Sequence, residues 1–159
     1  MRSTLCVLCV VALFLGVAPV SAQGADEREV LAVVQQLFDG MRARDTAKMR
    51  AVLHPQARMA SPGTRNGVFA VSVESPDGWL AQIARSTGAV PDERISSAEV
   101  KVDGALASVW AAYTFYIGER FSHCGVDAFH LVHMPEGWRI IDLADTRRRE
   151  GCSNAPTPP

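Results

Sequence analysis

The stretch FSHCGVDAFHLVHMPEGWRIIDLADTRRREGC, residues 121–152, decides the fold of this chain. Residues 121–133 alternate between two faces and are rich in strand formers, and residues 138–144 do the same. The turn Pro135-Glu136-Gly137 separates the two segments. Two strands joined by so short a turn pair as an antiparallel hairpin, so the stretch predicts the centre of an antiparallel sheet.

The sequence that precedes residue 121 also contains strand-forming segments, and the hairpin dipeptide Asp103-Gly104 separates two of them. Turns are expected at Pro62-Gly63 and at Asn66-Gly67. The predicted strands are 58–61, 67–73, 94–102, 105–119, 121–133 and 138–144. Because consecutive hairpins join most of them, we expect one antiparallel sheet.

Three helices are expected ahead of most of these strands. Residues 26–41 repeat apolar side chains on one helical face, with acidic residues in the first turn. Asp45 is a cap for a second helix that reaches about residue 53, and Ser75-Pro76 begins a third. Helices followed by a long bent sheet predict an α+β cone, whose concave apolar interior is the default ligand site.

The N-terminus has the pattern of a secretory signal peptide over residues 1–22. Arg2 precedes an apolar run at 5–17, and Val20-Ser21-Ala22 supplies the small residues of a cleavage site. The run is short for a membrane anchor, which is the alternative. We therefore expect an exported protein, periplasmic or secreted, with one domain over 23–152 and a disordered tail at 153–159.

The charge balance argues against two classes of partner. Loss of the signal segment, which contains Arg2 and no acidic residue, changes the formal net charge from −1 to −2. A nearly neutral chain has no electrostatic basis for binding nucleic acid or an anionic membrane surface.

Two cysteines, Cys124 and Cys152, follow the signal segment. In an oxidising compartment a lone pair usually forms a disulfide. The alternatives are two free thiols or a metal site, for which His123 is the only adjacent ligand. The four histidines show no spacing that converges three ligands, so no metal site and no cofactor are predicted.

Three segments carry a resemblance to a known superfamily: LFDGMRARDTAKMRAVLHPQARM (37–59), VDGALASVWAAYTFY (102–116) and GVDAFHLVHMPEGWRIIDLADTRR (125–148). The chain resembles nuclear transport factor 2-like proteins, and among them the SnoaL-like and lumazine-binding-like bacterial proteins, over residues 26–150. The resemblance implies a cystatin-like α+β cone. It leaves function open, because this fold serves isomerases, dehydratases, cyclases, binding modules and transport adaptors.

The resemblance to ketosteroid isomerases of this superfamily can be followed residue by residue. The segment that would hold the aspartate base places Ser61 there, and a serine hydroxyl needs an activating partner to act as a base. Asp127 matches the aspartate that would serve as a protonated donor. Phe38 stands in the region that would supply a tyrosine. Of the three catalytic groups that the resemblance implies, the aspartate at position 127 is therefore the one that is present.

The alternation of 121–133 places a set of side chains on one face, expected to be concave: His123, Gly125, Asp127, Phe129, Leu131 and His133. Burial among apolar neighbours would raise the pKa of Asp127 and make it an acid, whereas an arginine partner would make it structural. His123 on the same face could complete an acid–base pair, or lie partly solvated at the strand end.

Large apolar residues are expected to form the core and, in part, to line a ligand pocket: Phe38, Met41, Met59, Trp79, Ile83, Trp110, Tyr113, Phe115, Phe129 and Leu131. The run Arg147-Arg148-Arg149 follows Asp142 and Asp145. Its simpler interpretation is a solvated run with one arginine paired to an aspartate, and the alternative is an anion clamp.

Three functions remain open from the sequence. The leading prediction is an exported module that binds a small, mainly apolar ligand in the cone, without catalysis. The second is a cofactor-independent isomerase, cyclase or dehydratase that uses Asp127 and His123. The third is an accessory protein that forms a homodimer through its open sheet face.

Overall fold

The structure, a computed structural model, describes residues 22–152. This part of the chain contains three helices and six strands, in the order α1-α2-β1-β2-α3-β3-β4-β5-β6. The helices are α1 (Ala22–Ala43), α2 (Thr46–Arg50) and α3 (Pro76–Arg85). The strands are β1 (Leu53–Arg65), β2 (Val68–Glu74), β3 (Pro91–Asp103), β4 (Leu106–Ile117), β5 (Arg120–Met134) and β6 (Gly137–Asp145). The α+β prediction is confirmed.

All six strands form one curved, open sheet in the order β2-β1-β6-β5-β4-β3. Four neighbouring pairs are hairpins and therefore antiparallel. β1 and β6 are parallel, because they are joined through the rest of the chain and not by a hairpin. The centre of the sheet is the hairpin of β5 and β6 that the opening stretch predicts.

The sheet has two distinct faces. Its inner face carries the apolar cross-strand row Val109, Phe129, Leu143 and Met59. Helix α1 packs on this face, and the ring of Phe38 meets that of Phe129 edge-on at 6.1 Å between centroids. The core therefore lies between α1 and the inner face, and the outer face has no layer over it within residues 22–152.

Two local predictions are corrected by the strands. β1 runs through Pro62-Gly63, where we expected a turn, and its pairing with β2 continues to Arg65. The turn predicted at Asn66-Gly67 is confirmed, and both of its residues have positive φ, as tight hairpin turns require. α2 ends at Arg50, before the predicted residue 53, although Asp45 caps it by accepting from the backbone N–H of Lys48.

Bulges in β3, β5 and β6 change which side chains face inward. In β3 the register shifts between Ile95 and Ser97, in β5 around Ser122, and in β6 around Ile141. An extra residue on one strand reverses the alternation beyond it. The β3 bulge turns Glu93 toward the inner face, where it pairs with Phe115 and through it with His123.

A disulfide joins Cys124 to Cys152 with 5.8 Å between their Cα atoms, as predicted. It fastens the chain after β6 to β5, where Cys124 also forms a backbone bridge with Arg148. No helix within residues 22–152 is long and apolar enough to cross a membrane. The predicted signal peptide, up to residue 21, and the predicted disordered tail lie outside the described residues.

Candidate functional site

A cavity of about 390 Å³ opens between the inner face, α1 and α3. One wall is apolar and comes from all three of these parts. The opposite wall is polar and comes from neighbouring strands and the segment after β6. The cavity residues used below are Phe38, Met41, Met59, Ser61, Glu74, Trp79, Ile83, Ala89, Glu93, Tyr113, Phe115, His123, Asp127, Asp145 and Arg147.

Asp127 is the most deeply buried member of the polar wall. Only 2% of its surface is exposed, and it lies on β5 directly across from Ala111 and Asp145. Its Oδ2 atom has no hydrogen-bond donor among the described residues. A buried carboxylate oxygen without a donor costs free energy, which favours a proton on this carboxyl group.

Glu93 on β3 lies beside Asp127, close enough for their carboxyl groups to hydrogen-bond through one proton. Helix α1 fixes this part of β3, because Arg42 donates to the backbone carbonyl of Glu93 and to the carboxylate of Asp92, each at 2.9 Å. Glu93 was not among the site residues predicted from the sequence. The predicted strand began at residue 94, and the alternation of residue types does not reveal the bulge that turns Glu93 inward.

The two carboxyl groups hold protons that exposed carboxyls would lose. Burial raises the pKa of Asp127 to about 7, against an ordinary value of 3.8, and the nearby Asp145 carboxylate adds to the effect. Burial also raises the pKa of Glu93 well above its ordinary range, with further increases from Asp127. Two carboxylates in one apolar site cannot both ionise easily, so the pair shares a proton near neutral pH.

Asp145 extends the polar wall and has two donors. The Ser61 hydroxyl donates to its Oδ1, and Arg147 Nε donates to its Oδ2 at 2.5 Å. Ser61 is the position where the resemblance to ketosteroid isomerases would place a base. Here it is a hydrogen-bond donor to Asp145 instead.

Tyr113 and Gly125 shape the same wall. The Tyr113 hydroxyl donates to the Thr146 carbonyl at 2.8 Å, and burial raises the pKa of this tyrosine. A side chain at Gly125 is excluded, because a Cβ there would lie 1.7 Å from the Thr146 carbonyl oxygen. The chain after β6 therefore lies directly against β5, which brings Arg147 to the cavity.

His123 lines the cavity but does not pair with Asp127. The two lie four residues apart on β5, about 13 Å along an extended strand, and no hydrogen bond joins them in the described chain. His123 stacks on Phe115 at 4.8 Å between centroids, and its Nδ1 lies 3.0 Å from Ser122 Oγ. Burial, assisted by Arg147, lowers its pKa and favours the neutral ring.

The ten predicted pocket residues fall into three groups. Seven line the cavity: Phe38, Met41, Met59, Trp79, Ile83, Tyr113 and Phe115. Phe129 and Leu131 are buried in the core beneath it. Trp110 is corrected to the outer face, where it is 59% exposed, because Val109 and Ala111 on either side of it face inward.

The arginines of the run at 147–149 do not share one set of contacts. Arg147 pairs with Asp145, which agrees with the simpler interpretation, yet it also lines the cavity. Arg148 continues the backbone pairing with β5. Asp145 was not predicted, because it faces the cavity through its register with Asp127, which no local sequence pattern shows.

A family model described as "Putative lumazine-binding" matches residues 25–143. The chain belongs to this lumazine-binding-like family. Its fold is that of the nuclear transport factor 2-like superfamily, as the resemblance implied. No curated protein matches the sequence of this family member.

Solved structures show the same fold for this lumazine-binding-like protein. A nuclear transport factor 2-like protein with a cystatin-like fold from Novosphingobium aromaticivorans has a TM-score of 0.66 and 14% identity, covering 82% of this chain and 86% of its own. A protein of unknown function from Shewanella baltica has a TM-score of 0.62 and 14% identity, covering 82% and 99%. A "putative dehydratase" from Streptomyces avermitilis has a TM-score of 0.62 and 14% identity, covering 79% and 97%.

Proposed function

We propose that this protein binds a small, mainly apolar molecule in the cavity of its cone. The observation that carries the proposal is the cavity itself, which holds about 390 Å³ between apolar walls and one compact polar wall. Such a site is typical of small-molecule binding, where apolar surface supplies affinity and a few polar groups set orientation. The family description "Putative lumazine-binding" adds support for a small-molecule ligand.

We also propose that the protein works outside the cytoplasm. The signal pattern of residues 1–22 and the Cys124–Cys152 disulfide support export, because such bonds persist mainly in oxidising compartments. The ligand would then be met in the periplasm or outside the cell.

Native mass spectrometry of protein purified from its own host tests the binding function. Wild type is expected to carry a bound small molecule that is released on denaturation. Ala89→Trp, which places a ring at the cavity mouth, should lose this mass. Ala84→Trp, on an exposed part of α3 that does not line the cavity, should keep it. Equal retention by both variants, or no bound mass in wild type, would contradict the proposal.

A second candidate is cofactor-independent acid–base catalysis of the isomerase or dehydratase type. It is favoured by the pKa of Asp127 near 7, because such a carboxyl can both give and take a proton at physiological pH. NMR in D₂O of the molecule found by mass spectrometry tests it. Catalysis predicts exchange of a carbon-bound proton that wild type accelerates and Asp127→Asn does not. The control Glu99→Gln, on the outer face of β3, should match wild type.

A second copy of the chain is the partner we propose for the outer face. Its central row runs through Trp110, Ala128, Ala144, Ala60 and Val73, which are cross-strand neighbours on five adjacent strands. Small alanines between exposed large side chains allow close approach of a flat surface. An isologous dimer would cover this row with the same row of the partner.

A further inference from the structure

We infer that the cavity binds an organic cation, a small apolar molecule with a protonated nitrogen that donates N–H groups to the Asp127–Glu93 pair. The inference rests on the proposed binding function and adds the chemical class of the ligand. It comes from the geometry of the polar wall, which offers acceptors and negative charge.

The first argument is the carboxyl pair itself. Asp127 lines the cavity, and the described residues offer its buried Oδ2 atom no hydrogen-bond donor beyond the proton shared with Glu93. The Ser61 hydroxyl and Arg147 Nε donate to Asp145, and the Tyr113 hydroxyl donates to Thr146, so these three donors are not directed at Asp127. A ligand that takes the place of the shared proton must therefore bring its own donor.

The second argument is the charge that surrounds the cavity. Its titratable and charged groups come from several strands and the segment after β6: Glu74, Glu93, Tyr113, His123, Asp127, Asp145 and Arg147. Arg147 balances Asp145, and burial keeps His123 neutral. Even with one proton between Glu93 and Asp127, the site keeps a negative charge that an anionic ligand would meet and a cation would neutralise.

The third argument distinguishes an organic cation from a metal ion. Within residues 22–152 no three His, Cys, Asp or Glu side chains converge as metal ligands do. The remaining walls include Phe38, Trp79 and Phe115, which suit an apolar body and can stabilise a cation through their ring faces.

The Asp127–Glu93 pair should also make binding of the cation depend on pH. A cation that sits on the two carboxyls replaces the proton they share, so binding releases a proton. Affinity should therefore rise as the pH rises from 6 to 8, while an alkylammonium ligand keeps its charge because amines of this kind titrate near 10.

Three indoles of equal ring size test the inference by calorimetry: tryptamine, the neutral tryptophol and the anionic indole-3-acetate. At pH 8 we expect tryptamine to bind at least about tenfold more tightly than tryptophol, because a charge-assisted hydrogen bond exceeds a neutral one. Its heat of binding should vary with the ionisation heat of the buffer, as proton release requires. Indole-3-acetate should bind most weakly.

Two variants of the pair and one control locate the effect. In Asp127→Asn and Glu93→Gln the preference for tryptamine over tryptophol should fall to about twofold or less. Both substitutions keep side-chain size, and thermal melting checks that each variant folds. Glu99→Gln makes the same change on the outer face of β3 and should keep the wild-type preference.

Each contrary outcome has a distinct meaning. If tryptophol or indole-3-acetate binds in the cavity at least as tightly as tryptamine, the cation inference fails while the proposed binding function stands. If tryptamine binds but the variants keep the full preference, the charge is recognised elsewhere and the inference fails. If none of the three binds, both proposals are contradicted.

Discussion

The two faces of the sheet distribute polarity in opposite ways. The inner face buries carboxyl groups, of which Asp127 is 2% exposed. The outer face exposes apolar side chains, with Trp110 at 59% and Val73 at 65%. Exposed apolar area and two adjacent buried carboxyl groups both reduce the stability of an isolated chain. Both departures fit the two proposals, a ligand on the inner face and a second copy of the chain on the outer face, and the four predictions below test this contrast.

The largest effect is expected where the inner face meets the chain after β6. In Gly125→Ala the new Cβ would overlap the Thr146 carbonyl, so the segment that carries Arg147 must move. We expect a loss of about 4 kcal/mol in the free energy of unfolding, measured by urea denaturation. Gly63→Ala has no atom within 4 Å of the new Cβ and should change stability by less than about 1 kcal/mol. Equal effects would refute the close approach.

The second prediction concerns the pH dependence of stability. Because the pKa of Asp127 is raised from 3.8 to about 7, the folded chain keeps a proton that the unfolded chain loses in this range. Its contribution is complete below pH 4 and is lost as the pH rises to 7, by about 3 kcal/mol. Asp127→Asn should reduce this slope in urea titrations, with the remainder coming from Glu93, whose pKa burial also raises. The outer-face control Glu99→Gln should leave the slope unchanged. An Asp127→Asn slope equal to that of wild type would disprove the assignment.

The third prediction removes the link between Cys124 and Cys152. Ser replacement of both should lower the free energy of unfolding by about 3 kcal/mol, because the 28-residue separation no longer constrains the unfolded chain. Hydrogen exchange should show faster opening of the backbone bridge from Cys124 to Arg148, with the β3–β4 pairing protected as in wild type. Uniform acceleration over both regions would argue against a local role.

The smallest effect on the folded monomer is expected at the outer face. Trp110→Lys should change unfolding free energy by less than about 1 kcal/mol, because the side chain is exposed. It should nevertheless convert the proposed dimer to monomer in sedimentation experiments, since a like charge would face its copy across the symmetry axis. Val90→Lys, in the exposed loop before β3, should remain dimeric. A monomeric wild type would refute the dimer.

Most of the fold could be predicted because its signals are local and repeated. The hairpin turns at Asp103-Gly104 and 135–137, the helix cap at Asp45 and the alternation of β5 each depend on a few neighbouring residues. Asp127 was predicted from this alternation, with its burial and raised pKa. Trp110 was placed among the pocket residues because of its aromatic size, although the alternation of β4 assigns it to the outer face.

The rest of the site depends on relations that a local pattern does not contain. Glu93 faces inward only because of the bulge between Ile95 and Ser97, and no residue type in that segment indicates a bulge. Asp145 joins the site through its register with Asp127 and its contact with Ser61, which is distant in sequence. Such pairings are decided by the assembled sheet, so they appear only in three dimensions.

The bulge in β3 has an evolutionary consequence. Because Ser96 is the extra residue between Ile95 and Ser97, its deletion would restore regular pairing and leave Glu93 facing inward. If the bulge were lost with Ser96 kept in the ladder, the inward and outward sets of Pro91–Ile95 would be exchanged. Glu93 would then leave the cavity and Arg94 would enter it. Substitutions that straighten β3, without any change of length, could convert a site that selects cations into one that selects anions. Relatives with and without this bulge would be expected to differ in ligand charge before they differ in fold.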